Sequence, residues 1–385
     1  MTIQLLVTDN TLTVQGDPLT GWTSLDAAKK FNEPGAGSVT LPAYPEVMEQ
    51  LQPGNRLVVI RDGGIWMGGP MEVPADFSWS IDGEQDPGQV TVSFSDDLAL
   101  VAGYITWPEP ANAWATQHGI TYRQINATNA ETIIRTLVNE NCGPAAVTAR
   151  RIPSFALDSV AGVGTATTMK TRFEPLLDAA RRAAADGGGI GFRTRQVGTQ
   201  ILFGCYEPQD LTATARFSVG LGNLRGVTYK RGAPTVTHAL VAGTETEGST
   251  TRTFVEVADS AAATEWWRVE RFIDGGADNN ANLELTVAGR SDLADGSGPV
   301  ELSTVTIDTP DLQAGRDFDL GDLVTVALPH GLEVTNIVRS IHLHAEPGTG
   351  ESVTSVVGSL DATTDPQTVR LLGRVTRRLN RLEAR

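Results

Sequence analysis

The chain has 385 residues, 40% of them hydrophobic, which is enough for a sizeable core and for two or three domains. Thirty basic residues against forty-six acidic ones leave a net charge of −16, so the chain as a whole repels nucleic acid and anionic membrane surfaces. Two cysteines, Cys142 and Cys205, exclude a disulfide framework and a cysteine-based zinc site.

Forty glycines and twenty prolines punctuate short apolar runs, which favours a β-rich architecture over helical bundles. Long apolar stretches are missing, so no membrane anchor is expected. Segment 1–7 lacks the basic flank and apolar length of a signal peptide, and synthesis in the cytoplasm follows as the expectation. Four of the thirty basic residues are lysines, Lys29, Lys30, Lys170 and Lys230, and the rest are arginines, which suit planar, bidentate carboxylate partners.

Residues 3–7, 12–14 and 38–42 are short apolar runs of strand length. The runs 56–61 and 65–67 flank Asp62-Gly63-Gly64, residues that accept positive φ, and read as a hairpin. Phe77, Trp79 and Ile81 alternate with Ser78 and Ser80, and Val90, Val92 and Phe94 alternate with Thr91 and Ser93. That period of two buries one face, and joining the runs through 82–88 makes a long hairpin. A small antiparallel barrel or sandwich is expected over 1–105.

Trp107-Pro108-Glu109-Pro110 marks a boundary, and beyond it the period becomes helical. Thr128-x-x-Glu131 reads as a capping box, Ile134, Leu137 and Val138 share a face, and Gly143-Pro144 stops the helix. A second helix starts near Pro175, carries Leu176, Leu177, Ala180 and Ala184 on one side, and stops at Gly187-Gly188-Gly189. Strands follow at 190–192 and 200–205. Strand patterns return at 224–229 and 236–242. A second mixed stretch, with Trp266-Trp267-Arg268-Val269 and a helix near 282–294, completes an α/β insertion of 106–213 and 244–300. Further runs at 302–307, 323–328 and 337–343 define a second β zone, 214–243 with 301–362.

Residues 363–385 read as a basic amphipathic helix. Leu372, Val375, Leu379 and Leu382 fall at the spacing of a short coiled-coil seam, rimmed by Arg374, Arg378 and Arg381. Two heptads are marginal alone, so this helix docks, self-associates or remains a mobile tail. Those seven residues are the candidate oligomer or partner contact.

Catalytic and cofactor motifs are missing. There is no Gly-x-Ser-x-Gly elbow, His-Glu-x-x-His pair or phosphate loop. The segment from Gly220 to Gly226 is one residue too long for a dinucleotide fingerprint and reads as a turn feeding a strand. His342 and His344 share a strand face with Ser340 and offer two imidazoles, with no third metal ligand nearby. Asp317-x-Asp319-x-Gly321-Asp322 lacks the closing Glu of an EF-hand and reads as a turn. Asp274-Gly275-Gly276 with Asp278 reads as a solvated loop. The expectation is a non-enzyme without cofactor or metal.

The order of several motifs is familiar. Phe31-Asn32-Glu33-Pro34-Gly35, Ser38-Val39-Thr40-Leu41-Pro42, Arg61-Asp62-Gly63 and Gly68-Gly69-Pro70 resemble the opening of a minor tail protein family of actinobacterial siphophages. The similarity continues through Asn141-Cys142-Gly143-Pro144-Ala145, Arg150-Arg151-Ile152-Pro153 and Arg172-Phe173-Glu174-Pro175-Leu176-Leu177. It extends to Phe217-Ser218-Val219 and the stretch from Gly315 to Asp322. This resemblance implies a β-rich α+β fold: two small β-barrel hub domains with α/β insertions and a C-terminal helix.

It further implies a tail-tip, or baseplate, hub at the distal end of the virion tail, made in the host cytoplasm. The implied partners are two further copies in a homotrimer, the distal tail protein, the tape-measure protein and other tail-tip or receptor-binding proteins. Phage DNA would pass through without specific binding. Three chains with two similar barrels each present six similar surfaces, joining a six-fold tail to a three-fold tip. Two competing readings stay open. One is a carbohydrate- or receptor-binding tail module using Trp114, Trp266 or Trp267. The other is a cell-wall glycan hydrolase, whose carboxylate spacing a sequence does not display.

Overall fold

The computed structural model of the 385-residue chain describes residues 2–78, 88–243, 252–274, 282–297, 300–348 and 350–358. Strands dominate, with few and short helices, as the turn-rich composition requires. The N-terminal zone comprises β1 (Ile3–Thr8), β2 (Ser24–Lys30), β3 (Glu33–Pro42), α1 (Pro45–Gln50), β4 (Arg56–Arg61), β5 (Gly64–Ser78), β6 (Gln89–Ser95) and α2 (Leu98–Ala102). Its strands are antiparallel neighbours in the order β1-β4-β5-β6-β3-β2. The β4–β5 hairpin closes where expected, with Asp62 and Gly63 at φ 51° and 81°.

Two details of this zone differ from the sequence reading. The runs beginning at 65 and 77 meet in one fifteen-residue strand, β5, whose pairing with β6 is broken between Glu72 and Asp76, while 79–87, including Trp79 and Ile81, lie outside the described residues. The first half of β5, 64–70, pairs with β4, and its second half, from Met71, pairs with β6. Residues 12–14 form no strand: Leu12 sits at φ 68°, and Val14 makes a single bridge to Thr8. The alternation of β6 holds, since Val90, Val92 and Phe94 are buried and the residues between them are not.

The insertion that follows holds β7 (Arg123–Asn129), α3 (Ala130–Asn141), β8 (Phe155–Leu157), β9 (Ala166–Thr171), α4 (Leu176–Asp186), β10 (Gly191–Val197) and β11 (Gln200–Tyr206). Thr128 is not the cap of α3. It belongs to β7, paired with Thr167, and Asn129 caps the helix by accepting the Thr132 amide at 3.0 Å. Glu131 is fully buried and accepts the amides of Ala161, Gly162 and Val163 at 2.8, 2.5 and 3.0 Å. Its carboxylate is therefore a loop anchor rather than half of a capping box. Ile133, Ile134, Leu137, Leu176 and Leu177 close a core with Phe192 and Phe203 of the β10-β11-β8 sheet.

The remainder contains β12 (Arg216–Ser218), β13 (Leu224–Arg231), β14 (His238–Ala242), β15 (Phe254–Ala258), α5 (Ser260–Glu265), β16 (Glu270–Asp274) and α6 (Asn282–Asp295). It ends with β17 (Val300–Thr306), β18 (Leu323–Ala327), β19 (Glu333–Glu346) and β20 (Gly350–Val357). Strands β15-β14-β16 form a small sheet in contact with α6, and β13 pairs with β17. The start of β19 pairs with β18, while residues 340–345 run between β2 and β20.

The sheet thus continues from one β zone into the other, in the order β1-β4-β5-β6-β3-β2-β19-β18-β12 with β20 on β19. No closed barrel is found among the described residues. One core serves both zones: Leu5, Leu25, Leu57 and Phe94 belong to the same cluster as Phe217, Val324 and Leu343. Phe217 meets Phe318 edge to face, with ring centroids 5.4 Å apart. Because the zones share a sheet and a core, they should unfold as one unit. Leu343→Ala removes a side chain that is 1% exposed and should cost about 2–5 kcal/mol. Hydrogen exchange should then accelerate together in β3, β6 and β18; acceleration confined to β18–β20 would show two separate units.

Candidate functional site

The β2–β3 turn is the point where three parts of the chain meet. Asn32 occupies it at φ 54° with its side chain buried. Its Nδ2 donates to the Ile190 carbonyl at 2.9 Å and its Oδ1 accepts the Phe192 amide at 2.8 Å, so one side chain fastens the insertion to the N-terminal zone. The Phe31 amide donates to the Arg339 carbonyl of β19 at 2.9 Å. Opposite lies the Asp319–Asp322 turn, where Gly321 has φ +87° and a Cβ would come within 2.3 Å of the Phe31 ring. Only glycine fits there.

The segment is a turn, as the sequence reading expects, and its own carboxylates build it. Asp322 accepts the amides of Gln209 at 2.8 Å and Asp319 at 2.7 Å, and Asp319 pairs with Arg193 of β10 at 2.8 Å. Tyr206 of β11 donates to the Leu320 carbonyl at 3.0 Å, and Arg193 stacks 4.7 Å from the Tyr206 ring centroid.

The junction is also where buried charge collects. Arg56 and Asp97 form a bidentate pair at 3.0 and 2.5 Å with both side chains almost fully buried, and Arg56 also donates to Thr8 at 3.0 Å and to Gln196 at 3.3 Å. Lys29 lies 4.5 Å from the Trp66 ring centroid, and burial lowers its ammonium to about 8. Burial pushes Asp96 up to about 6, although the amides of Gly35 and Leu98 donate to its carboxylate. Lys29, Trp66, Asp96 and Asp97 line a cavity of about 240 Å³ together with Arg193 and Gln196.

Elsewhere the sequence candidates separate. His342 is buried and bonded to Ser340 at 2.8 Å, whereas His344 reaches Asp26 at 2.6 Å on the exposed side, so the two imidazoles serve different partners. The segment around Gly222 is a turn in which Asn223 bonds Ser218 and Arg216 before β13, as expected. Trp114 is 79% exposed in the insertion, while Trp266 and Trp267 stack edge to face beside the β14 sheet; the three tryptophans do not share one module. Burial pushes both cysteine thiols up to about 12, which removes them as nucleophiles. The candidates Leu372, Val375, Leu379, Leu382, Arg374, Arg378 and Arg381 lie outside the described residues.

Sequence reasoning did not single out Asn32, Arg56, Asp97 or the Lys29–Lys30 pair by function. Asn32 carried the one usable signal, an Asn at a turn between two strand-length segments, a residue that tolerates positive φ.

Solved structures with a similar fold include tail proteins. The 43 kDa tail protein of prophage MuSo2 from Shewanella oneidensis matches with a TM-score of 0.54 at 14% identity, covering 94% of this chain and 100% of that one. A tail protein from Neisseria meningitidis MC58 matches with a TM-score of 0.55 at 12% identity, covering 93% and 97%. Prophage tail protein gp18 from Listeria monocytogenes EGD-e matches with a TM-score of 0.52 at 10% identity, covering 98% and 99%. No curated protein matches the sequence. At such identities the likeness concerns the fold, and that fold is one used by phage tail proteins. The family comes from the sequence: the model of the Siphovirus ReqiPepy6 Gp37-like protein matches residues 3–359, and the chain belongs to this siphovirus tail protein family.

Two outcomes test the junction. Arg56→Met leaves Asp97 buried without its partner and should destabilise the chain by about 3–5 kcal/mol. Adding Asp97→Leu should recover most of that loss in denaturant unfolding, whereas additive losses would contradict the pairing. His342 is held down to about 4, by burial first and then by Lys30. A depressed base takes its proton more readily in the unfolded chain, so its contribution is complete above pH 6.5 and is lost as pH falls toward 4. The loss is on the order of 3 kcal/mol. Asp96 and Asp308, both raised to about 6 by burial, work in the opposite direction over much of that range. The informative quantity is therefore the difference between wild type and His342→Gln, which should grow with pH between 4 and 6.5.

Proposed function

We propose that this tail protein is the hub at the distal tip of a siphophage tail, a homotrimer that joins the six-fold tube to a three-fold tip and surrounds the path of the genome. The observation that carries the reading is the continuous sheet across β2 and β19 in a chain that belongs to a siphovirus tail family. Each β zone serves as one hub module, the counterpart of a barrel, and the insertions occupy the periphery. Three copies then supply six similar modules with the angle between the two modules of each copy held by the sheet. The net charge of −16 suits a passage from which DNA must leave without adhering.

In this reading the segment 363–385 is the contact with the next tail component or with the other two copies. Leu372, Val375, Leu379 and Leu382 form its apolar seam, and Arg374, Arg378 and Arg381 form the rim that meets acidic neighbours. The distal tail protein and the tape-measure protein are the neighbours above and within the ring. Reconstruction of the tail tip by cryo-EM, traced against this chain, should find three copies around a central channel; a peripheral or absent chain would overturn the hub. Deleting 366–385 should abolish or weaken assembly into tails while leaving the melting temperature within a few degrees, and normal assembly of that deletion would remove the segment's role.

A further inference from the structure

Strands β15, β14 and β16 form a sheet with two unlike faces. Ala239, Val241, Val255, Val257 and Ile273 share one face, and α6 covers it. The fit is close: a Cβ on Gly289 of α6 would come within 2.5 Å of Val257 and 3.1 Å of Val241, and Asp292 pairs with Arg271 at 2.9 Å. The register places Leu240, Phe254 and Phe272 on the other face, where they are 41%, 52% and 55% exposed. The Arg252 guanidinium lies 6.0 Å from the Phe272 ring centroid, but among the described residues no element packs across this face as α6 packs across its opposite. An exposed apolar face of this kind marks a surface awaiting a partner.

Its charge is acidic after internal pairing is counted. Glu256 and Glu270 share Arg268, each at 2.6 Å, and Asp274 pairs with Arg252, so three carboxylates share two guanidiniums. Residues 236–297 as a whole hold eleven acidic residues against four arginines, a net charge of −7. One segment of this chain complements both properties. Residues 366–385 hold six arginines against Glu383, a net charge of +5, and carry the seam of Leu372, Val375, Leu379 and Leu382.

We propose that the open face of the β15-β14-β16 sheet is the docking surface for the C-terminal segment 366–385 of the same chain, with the seam on Leu240, Phe254 and Phe272 and the arginine rim toward the acidic surround. The dimensions agree. From Leu372 to Leu382 a helix rises about 15 Å, and a five-residue strand is about 17 Å long. The reach agrees as well. Gly358, the last described residue, bridges Ser303 of β17 and donates its amide to the Ile337 carbonyl at 3.0 Å. Seven residues back from Ser303 is Gly296, at most about 25 Å away, whose carbonyl accepts the Thr235 amide at 2.8 Å just before β14. The fourteen steps from Gly358 to Leu372 span up to about 45–50 Å. Docked on its own chain before the tail forms, the seam is kept from premature pairing. The inference rests on reading 366–385 as an amphipathic contact segment; it does not rest on the trimer.

The test is photo-cross-linking in the full chain, with p-benzoylphenylalanine in place of Phe254 or, separately, Phe272. Both positions are exposed, and circular dichroism confirms that each variant folds. Irradiation of dilute protein should yield cross-links within single chains to residues of 366–385, located by mass spectrometry. The same probe in place of Ile120, exposed in the other part of the insertion, should give none to that segment. Combining Arg374→Glu, Arg378→Glu and Arg381→Glu should lower the yield by about fivefold or more. Cross-links that join two chains would assign the face to a second copy and overturn docking on the same chain. Cross-links confined to other segments, or a yield indifferent to the three arginines, overturn it equally. Failure here would leave the assembly test of the 366–385 deletion untouched, so the two readings fall separately.

Discussion

Strand β2 runs between β3 and β19, and every residue from Leu25 to Lys30 has a partner on β19. That ladder is the connection through which two regions far apart in sequence become one sheet. Without it the chain would hold two small β units, each with an edge strand exposed to pairing with other molecules. With it both edges are covered. Leu25 and Ala27 enter the core that also receives Phe217, Val324 and Leu343. Hydrogen bonding and apolar burial therefore act at the same place. The remaining structure is arranged around their joint requirement that β2 stay narrow and paired along both edges.

The narrowness has a visible cause. Ala27 and Ala28 are fully buried, and the facing Gly37 has no room for a Cβ because the Phe94 ring and the Asp26 carbonyl would lie within 2.6 and 2.8 Å of it. Close packing at the seam demands small residues, and small residues weaken the strand signal in sequence. The ordering of the junction follows the same logic. Asn32 adopts a left-handed conformation that most residues avoid, and its amide makes two buried hydrogen bonds, to Ile190 and to Phe192 of β10. Arg56 spans from β4 to Asp97, satisfying a carboxylate that burial alone would disfavour.

What sequence reasoning read well were the elements whose signals are local. The alternation of Val90, Val92 and Phe94, the Asp62-Gly63 turn, the helix stop at Gly187 and the apolar face of α4 all follow from short-range chemistry. What escaped it was β2, whose sequence Ser-Leu-Asp-Ala-Ala-Lys-Lys contains no β-branched or aromatic residue. Its strand state is imposed by neighbours on both sides rather than by propensity. Thr128 misled for a related reason: the capping pattern was correct in form, but β7 claimed the threonine and Glu131 turned inward to a loop more than thirty residues away. The junction was invisible because its members are separated by up to several hundred positions. The family resemblance, by contrast, was legible because it lay in the order of short motifs along the chain, and the family model matches residues 3–359.

The seam also bears on how a tail protein of this kind transmits force and geometry. A flexible linker between the β zones would let each settle independently, and a ring of such chains would have no defined set of contact surfaces. A shared ladder removes that freedom, since bending the sheet at β2 would break hydrogen bonds and expose the common core together. The insertion adds a third constraint, because Asn32 and the Arg193–Asp319 pair tie β10 to both zones at the same point. Motion is then easiest at the periphery, in the β14 sheet with its exposed Leu240, Phe254 and Phe272, and hardest at the centre. A protein organised in this way can hold a ring in register through its centre while its outer modules vary, which is the division of labour that the proposed hub would require.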